Sequence, residues 1–377
     1  MATRPFRIMD ADGHVMEPAG MWQRYIAAEF RDRAPRVVVG PDGRRRILVD
    51  GQPCPRVDGP NSISGAMREA FALRIRELLG QYARADYDAD SQLLAMDEGG
   101  VEVAFLYPTQ GLYTASVDDL DPALAIATCR AYNDWILDFC ARAPDRLKPV
   151  AMLVGLHEPA LAVAEAARVA DAGFKAVFIR PNPIRGRRLD DPAYEPLWAQ
   201  CERRGLAVGV HEGVSALLPA AGADRFSTFF QSHAASHPME QMLAMLSLIG
   251  GGVLERYPRL RVAFLESGCG WLPYWLWRMD EHWEQCDGIA GEPRLAMKPS
   301  DYFRRQCWIS CEPDEPYVDR VLDLIGEDRL LFASDYPHPD HKWPETVEAM
   351  LAMPIPDAAK RKVLWDNPVA FYGERPS

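Results

Sequence analysis

Near the start of the chain, the stretch IMDADGHV places Asp10, Asp12 and His14 within five positions. Carboxylates and imidazoles are the side chains that hold divalent ions and move protons. A spacing of two along an extended strand returns to the same face, so Asp12 and His14 can reach one ion. Taken alone, the triplet is explained equally well by turn and capping hydrogen bonds. Other candidates stand where apolar runs stop: His211 closes LAVGVH, Glu266 closes VAFLE, Glu312 follows WISC, and Asp335 closes FASD with His338 just beyond. Burying an acid at such a point is costly unless it binds a cation or serves as a base. For Glu266 the alternative is a cap on the helix near Trp271, and Glu312 shares its turn with Asp314 and Glu315, acids of a capping or solvated kind. His237 precedes a proline expected to open the next helix, which leaves it as a site residue or a cap. His157 and His282 read as structural, and His233 and His341 rank behind His237 and His338. So many acids and imidazoles on one face would repel or desolvate one another without a cation, so a metal is the economical explanation. Asp335, Glu266 and His237 are then the candidates for proton transfer. Other chemistries fit less well: ESGCGW holds Ser267 and Cys269 without the spacing of a nucleophile elbow. The arginines at 44–46 and 185–188 read as solvated loop charge.

These residues span more than three hundred positions, and only one kind of scaffold gathers them. Eight apolar runs read as strands: FRIMDAD from Phe6, VEVAFLY from Val101, LKPVAMLVG from Leu147, KAVFIR from Lys175, LAVGVH from Leu206, LRVAFLE from Leu260, CWISCE from Cys307 and RLLFASD from Arg329. Between them lie Ala-rich segments with apolar residues three and four apart, such as DPALAIATCRAYNDWILDFCARAP, which read as helices. Eight alternating units, with no GxGxxG after the first strand, predict a (β/α)8 barrel over an open doubly wound sheet. In such a barrel the functional groups stand at the carboxyl ends of the strands, where the candidate residues fall. The whole chain, 1–377, is expected to form one barrel. Within it, residues 18–86 form an insertion after the first strand, with a hairpin at PDG, and this insertion acts with loop 212–237 as a lid.

The net charge of -12 over 377 residues excludes a generic nucleic-acid or anionic-membrane surface, and a small-molecule partner is expected instead. Eight cysteines stand singly without CxxC pairs, as expected for free thiols in a reducing cytoplasm. No apolar leader or membrane-spanning run is present, so the expected location is cytoplasmic.

The first-strand motif, together with GVLERYPRLRVAFLESGCGWLPYWLWRMD, FASDYPHPD and the ending VLWDNPVAFYG, resembles the amidohydrolase-related branch of the metal-dependent amidohydrolase superfamily over nearly the whole chain. The resemblance implies Asp12 and His14 as the first ligand pair, His211 as the strand-five ligand and Asp335 as the strand-eight ligand or base. The family's first histidine is here Asp12, its strand-six histidine is Glu266, and strand four carries no bridging lysine. This carboxylate-rich set suits iron or manganese and offers enough donors for two ions, with Glu266, Glu312 and His338 completing the metal set. It resembles the nonheme diiron monooxygenases known on this barrel from platensimycin-type diterpenoid pathways. That resemblance implies two Fe ions, O2, a ferredoxin-type electron donor, and hydroxylation of a bulky carboxylated or CoA-linked terpenoid, with a homodimer among the expected assemblies. The alternative is a hydrolase or decarboxylase of a small carboxylated compound, using one Zn or Mn ion.

Overall fold

The computed structural model describes residues 6–41, 45–54, 79–115, 117–212, 220–222, 225–226, 228–286, 295–313, 315–338 and 342–374, with the single positions 73, 77 and 289. Eight parallel strands follow one another around a barrel: β1 Met9–His14, β5 Val103–Tyr107, β6 Leu147–Met152, β7 Ala176–Ile179, β8 Ala207–His211, β9 Val262–Leu265, β10 Cys307–Cys311 and β11 Leu330–Phe332. Each falls on one of the eight apolar runs. All residues of β5, β7, β8, β9, β10 and β11 are buried, because the inner face packs across the barrel and the outer face is covered by helices. Closure between the last and first strands comes just beyond β11, where Asp335 N donates to Asp12 O at 3.0 Å and His14 N to Tyr336 O at 2.6 Å. The Asp10 carboxylate accepts from Ser334 N at 3.0 Å and from the Ser334 hydroxyl, fastening the same seam. The β1–β5 register slips between Asp10 and Gly13, a bulge that turns the end of β1 toward the barrel mouth.

Helices occupy the segments between strands. The helix Pro122–Cys140 begins with Asp121 accepting from Ala123 N and with proline in its first turn, where the missing N–H costs nothing. Its Asn133 bonds both Met152 N and Met152 O, tying the helix to the end of β6. The insertion after β1 holds an antiparallel sheet of β2 Arg36–Val39, β3 Arg45–Val49 and β4 Gln52–Cys54, so the runs on either side of PDG pair as expected, while Asp42 and Gly43 lie outside the described residues. Arg33 fastens this sheet by bridging Asp50 at 2.7 Å and Asp121 at 3.0 Å. Much of the expected lid, including residues 55–72 and 213–219, lies outside the described residues.

One boundary differs from expectation. The helix after β8 runs from Phe229 to Gly250 and contains Pro238 instead of starting there. Its start is Thr228, whose hydroxyl accepts from Gln231 N, and the T-x-x-Q spacing is a capping signal in the sequence.

Beneath the mouth, aromatic rings fill the barrel. Tyr107 lies under His211 with centroids 5.6 Å apart, and Phe178 meets the same imidazole edge-on at 5.8 Å. Gly209 makes room: a Cβ there would stand 2.5 Å from the Tyr107 hydroxyl. From the helix Asn367–Tyr372, Tyr372 reaches in, donates to Ala11 O at 2.6 Å and shares a 3.0 Å hydrogen bond with Tyr107. Among the described residues, no helix is long and apolar enough to cross a membrane.

Candidate metal centre

The carboxyl ends of β1, β8, β9 and β11 bring together Asp12, His14, His211, Glu266 and Asp335, with His338 beside them. His14 Nε2 is 3.0 Å from Asp335 Oδ1, 3.7 Å from Asp12 Oδ1 and 4.0 Å from Glu266 Oε2. His211 Nε2 is 3.0 Å from Glu266 Oε2 and 3.5 Å from Asp12 Oδ1. Donors bound to one ion at about 2.0–2.2 Å lie about 3–4.4 Å from one another, so these separations match a shared cation. Among the described residues, two groups have all donor atoms within 4.8 Å: His14, Glu266, Asp335 and His338, and Asp12, His14 and His211.

Both oxygens of Asp12, the Nε2 atoms of His14 and His211, and Oε2 of Glu266 are buried without a hydrogen bond of good geometry among the described residues. A buried donor set of this kind is destabilising unless a cation satisfies it. The outer nitrogens are engaged: His14 Nδ1 lies 2.8 Å from Pro108 O and His211 Nδ1 2.7 Å from Glu212 O. Backbone carbonyls are acceptors only, so each ring carries a proton on Nδ1 and turns Nε2 inward as the atom that can bind an ion. His14 Nδ1 being so engaged, both donor groups use the same Nε2, and a lone pair serves one ion. The two groups therefore describe one centre.

The backbone aims the acids. Glu266 and Asp335 have φ of 49° and 51°, the left-handed region that non-glycine residues seldom occupy. Such strain at strand ends persists where the surroundings impose it and is concentrated at functional positions. Glu266 N donates to Ser310 Oγ at 3.0 Å, holding that turn. Asp10 falls outside both donor groups among the described residues; its carboxylate accepts from Asp12 N at 3.1 Å as well as from Ser334.

Charge accumulates here. Burial lowers the pKa of His14, reinforced by His338 alongside. Burial also pulls His211 down, but the Asp12 and Glu266 carboxylates outweigh it and hold this imidazole well above its ordinary range. Burial, with the like charge of Asp335, pushes Glu266 up to about 7. Burial alone accounts for most of the rise of Asp10 to about 7.

His237 stands on the Phe229–Gly250 helix with Nδ1 2.9 Å from Glu266 O and 3.7 Å from Glu266 Oε1. Burial, then the neighbouring His233, lowers its pKa to about 3. One turn on, Gln241 Nε2 donates to Val210 O at 2.8 Å and Leu265 O at 3.0 Å, locking the helix across the ends of β8 and β9. His338 Nδ1 lies 2.6 Å from Asp335 Oδ1, and its Nε2 lies 3.0 Å from Thr109 Oγ1. Glu312 falls outside both donor groups: it is half-buried, and its N–H donates to Glu315 Oε1 at 2.8 Å. His157 is buried against Val117 O at 2.7 Å, and His282 lies half-exposed on an outer helix. His341 lies outside the described residues.

Glu17 and Arg180 escaped the sequence reading. The Glu17 carboxylate accepts from Gln110 N at 2.9 Å and Gly111 N at 2.8 Å, holding the turn whose Pro108 carbonyl orients His14. Arg180, at the end of β7, is fully buried and pairs with Glu212 at 3.1 Å. Their signal was charge next to an apolar strand end, as for Asp335, but among the described residues neither belongs to the two donor groups.

A family model described as Amidohydrolase matches residues 9–373. Among curated proteins, the chain is 27% identical over 301 residues to the 2-amino-3-carboxymuconate-6-semialdehyde decarboxylase of Dictyostelium discoideum, covering 78% of each. It is 28% identical over 268 residues to the gamma-resorcylate decarboxylase of Rhizobium radiobacter, covering 66% of this chain and 76% of that one. Among solved structures, an amidohydrolase of Mycobacterium avium subsp. paratuberculosis K-10 superposes with a TM-score of 0.79 at 23% identity over 99% of both chains. A dihydroxybenzoic acid decarboxylase of Polaromonas with bound manganese and 2-nitroresorcinol gives 0.67 at 19% identity, over 98% of this chain and 97% of that one.

Decarboxylase relatives overturn the expected nonheme diiron monooxygenase and its oxidoreductase chemistry. Nothing in the comparisons supports two Fe ions, O2, a ferredoxin-type donor or a CoA-linked terpenoid. The physical reason is that an acid-rich donor set selects hard divalent ions in general and does not report whether the ion changes oxidation state. With the fold, the convergent donors and the match over nearly its full length, this chain belongs to the amidohydrolase family.

Proposed function

We propose that this enzyme is a non-oxidative decarboxylase of a small, unsaturated carboxylated compound, such as a hydroxylated benzoate or a muconate-like acid, working with one divalent ion. The observation that carries this reading is the buried set of Asp12, His14 and His211 donors facing one point, in a chain whose curated relatives are decarboxylases. Asp12, His14, His211 and Asp335 are the proposed ligands, and manganese or zinc is the ion that such a mixed set of carboxylates and imidazoles accepts. When bound, the ion supplies positive charge for the substrate carboxylate and a neighbouring oxygen.

The chain's own residues handle the proton. Glu266 has a side-chain exposure of 16%, against 0% for Asp12 and 3% for Asp335, so it is the carboxyl group of the set that reaches the open side. In the proposed step the bond from the carbon skeleton to the carboxylate breaks, its electron pair stays on the skeleton, and CO2 departs. The carbon takes a proton from Glu266, which is recharged from solvent. His237, held against the Glu266 carbonyl, orients that side chain. The contact of Asp335 with His338, itself steadied by Thr109, holds the Asp335 carboxyl group beside His14. The insertion 18–86 is the proposed lid: Cys54, which ends β4, is buried and lies within electrostatic reach of Arg180 at the mouth.

The test is CO2 release without O2 from a panel of ortho-hydroxybenzoates and amino-carboxymuconate semialdehydes. Chelation should abolish release, and manganese or zinc should restore it. Metal-dependent hydrolysis of an ester or lactone without CO2 from any acid in the panel would sink the proposal.

A further inference from the structure

Outside the donor set, a group of buried charge surrounds Arg180, and nothing in the mechanism above uses it. The side chains of Arg180, Asn182, Glu212 and Glu240 are all almost wholly shielded from solvent. Arg180 Nε and Nη2 donate to Asn182 Oδ1 at 3.0 and 2.6 Å, Nη2 to Glu212 Oε1 at 3.1 Å, and Nη1 to Leu112 O at 3.3 Å. A planar fork with donors in three directions meets this geometry, and an ammonium does not. Desolvating a guanidinium and two carboxylates is costly, so a fold that keeps them gains something other than bare stability.

The gain is visible one bond away. Glu212 supplies both the carboxylate gripped by Arg180 and the backbone carbonyl, 2.7 Å from His211 Nδ1, that fixes the ring of His211. Arg180 and Asn182 both hold the Glu212 side chain, and so restrain the residue whose carbonyl meets His211. Glu240 receives Ala221 N and lies one turn after His237, so the cluster reaches the helix that carries that imidazole.

We propose that Arg180 and Glu212 are positioning residues for the metal centre: the guanidinium anchors the Glu212 side chain, and the anchored Glu212 carbonyl holds His211 Nε2 toward the ion. This rests on the single-ion reading above. Outer partners of metal-bound imidazoles contribute about 10–100-fold to metal affinity, so an effect of that size is expected.

The test measures manganese(II) affinity by chelator competition, and the unfolding midpoint of the metal-free protein, for the parent, Glu212→Ala, Glu212→Gln and Arg180→Lys. Glu212→Ala should lose about tenfold or more in affinity. Glu212→Gln, which keeps an acceptor for Nη2, should recover most of that loss. Arg180→Lys, which keeps the charge without the fork, should remain weakened. A role confined to stability would lower the metal-free midpoint and leave affinity unchanged. Affinities within twofold of the parent in the variants that fold would overturn the proposal, as would failure of both Glu212→Ala and Arg180→Lys to fold, which would make the pair a structural element. A parent that binds no manganese would instead refute the metal-dependent reading on which it stands.

Discussion

Both donor groups depend on His14 Nε2, so this atom is the one whose loss the centre tolerates least. His14→Ala should reduce metal affinity by more than the roughly 10–100-fold that outer partners contribute, and elemental analysis of purified protein should find it nearly metal-free. Retention of stoichiometric metal would remove His14 from the ligand set. Behind it, Gly13 has no space for a side chain: a Cβ would stand 2.9 Å from Asp10 Oδ2. Asp10 cannot yield freely, because Ser334 and Asp12 N hold both its oxygens. Gly13→Ala should therefore cost about 1–3 kcal/mol in urea unfolding, the range for overpacking a filled interior. At this scale the sequence was informative where residue identity carries the chemistry. Asp12, His14, His211, Glu266 and Asp335 stand out as polar groups ending apolar runs, and the structure brings them together. Glu312 has the same signature and falls outside both donor groups among the described residues, while its N–H donates to Glu315. The carbonyls of Pro108, Glu212 and Glu266 that orient the imidazoles were not legible, since every residue has a carbonyl and only folding selects which one is used.

At the scale of elements, the turn after β5 serves two imidazoles: Pro108 O orients His14, and Thr109 Oγ1 meets His338. Glu17 holds that turn through two backbone N–H groups, and a carboxamide would accept from one and face the other with its own donors. Glu17→Gln should therefore lower stability by about 1–3 kcal/mol and weaken metal binding, measured as a lower unfolding midpoint and a faster exchange of manganese. Unchanged values in both would show that the turn holds itself. Strands were legible because each is an apolar run with a polar stop, buried on both faces. The helix start at Thr228 was present as a capping spacing, but Pro238 is a stronger local signal for a first turn and drew the boundary nine residues late. A proline within a long helix is tolerated when other contacts hold its flanks, and Gln241 supplies them by bridging β8 and β9.

Taken as a whole, the barrel couples metal loading to stability and to protons. An ion that binds only the folded state stabilises by about 2.7 kcal/mol at a hundredfold excess over its dissociation constant. Chelation should accordingly lower the thermal midpoint, and added manganese should restore it. Without an ion, Asp12 and Glu266 outweigh the effect of burial and keep His211 protonated above the usual imidazole range. That proton must leave before Nε2 can coordinate, so affinity should rise with pH and loading near neutrality should release protons. Titration calorimetry in buffers of different ionisation enthalpy reads this directly; equal heats in all buffers would contradict it. The architecture was legible from strand number and spacing alone, whereas the reaction was not. Carboxylates and imidazoles around a hard ion serve oxidation, hydrolysis and decarboxylation alike, and substrate choice is made by surfaces that no short motif records. Closure of the barrel carries one more implication. Asp10 and Ser334, whose hydrogen bonds join the first strand to the last, are 324 positions apart. During translation at the ribosome, β1 is made first, and Asp10 waits for Ser334 until the chain beyond β11 emerges. A prematurely terminated product would thus carry most of the barrel without this seam and without Asp335, so tight metal retention is a quality mark of completed synthesis.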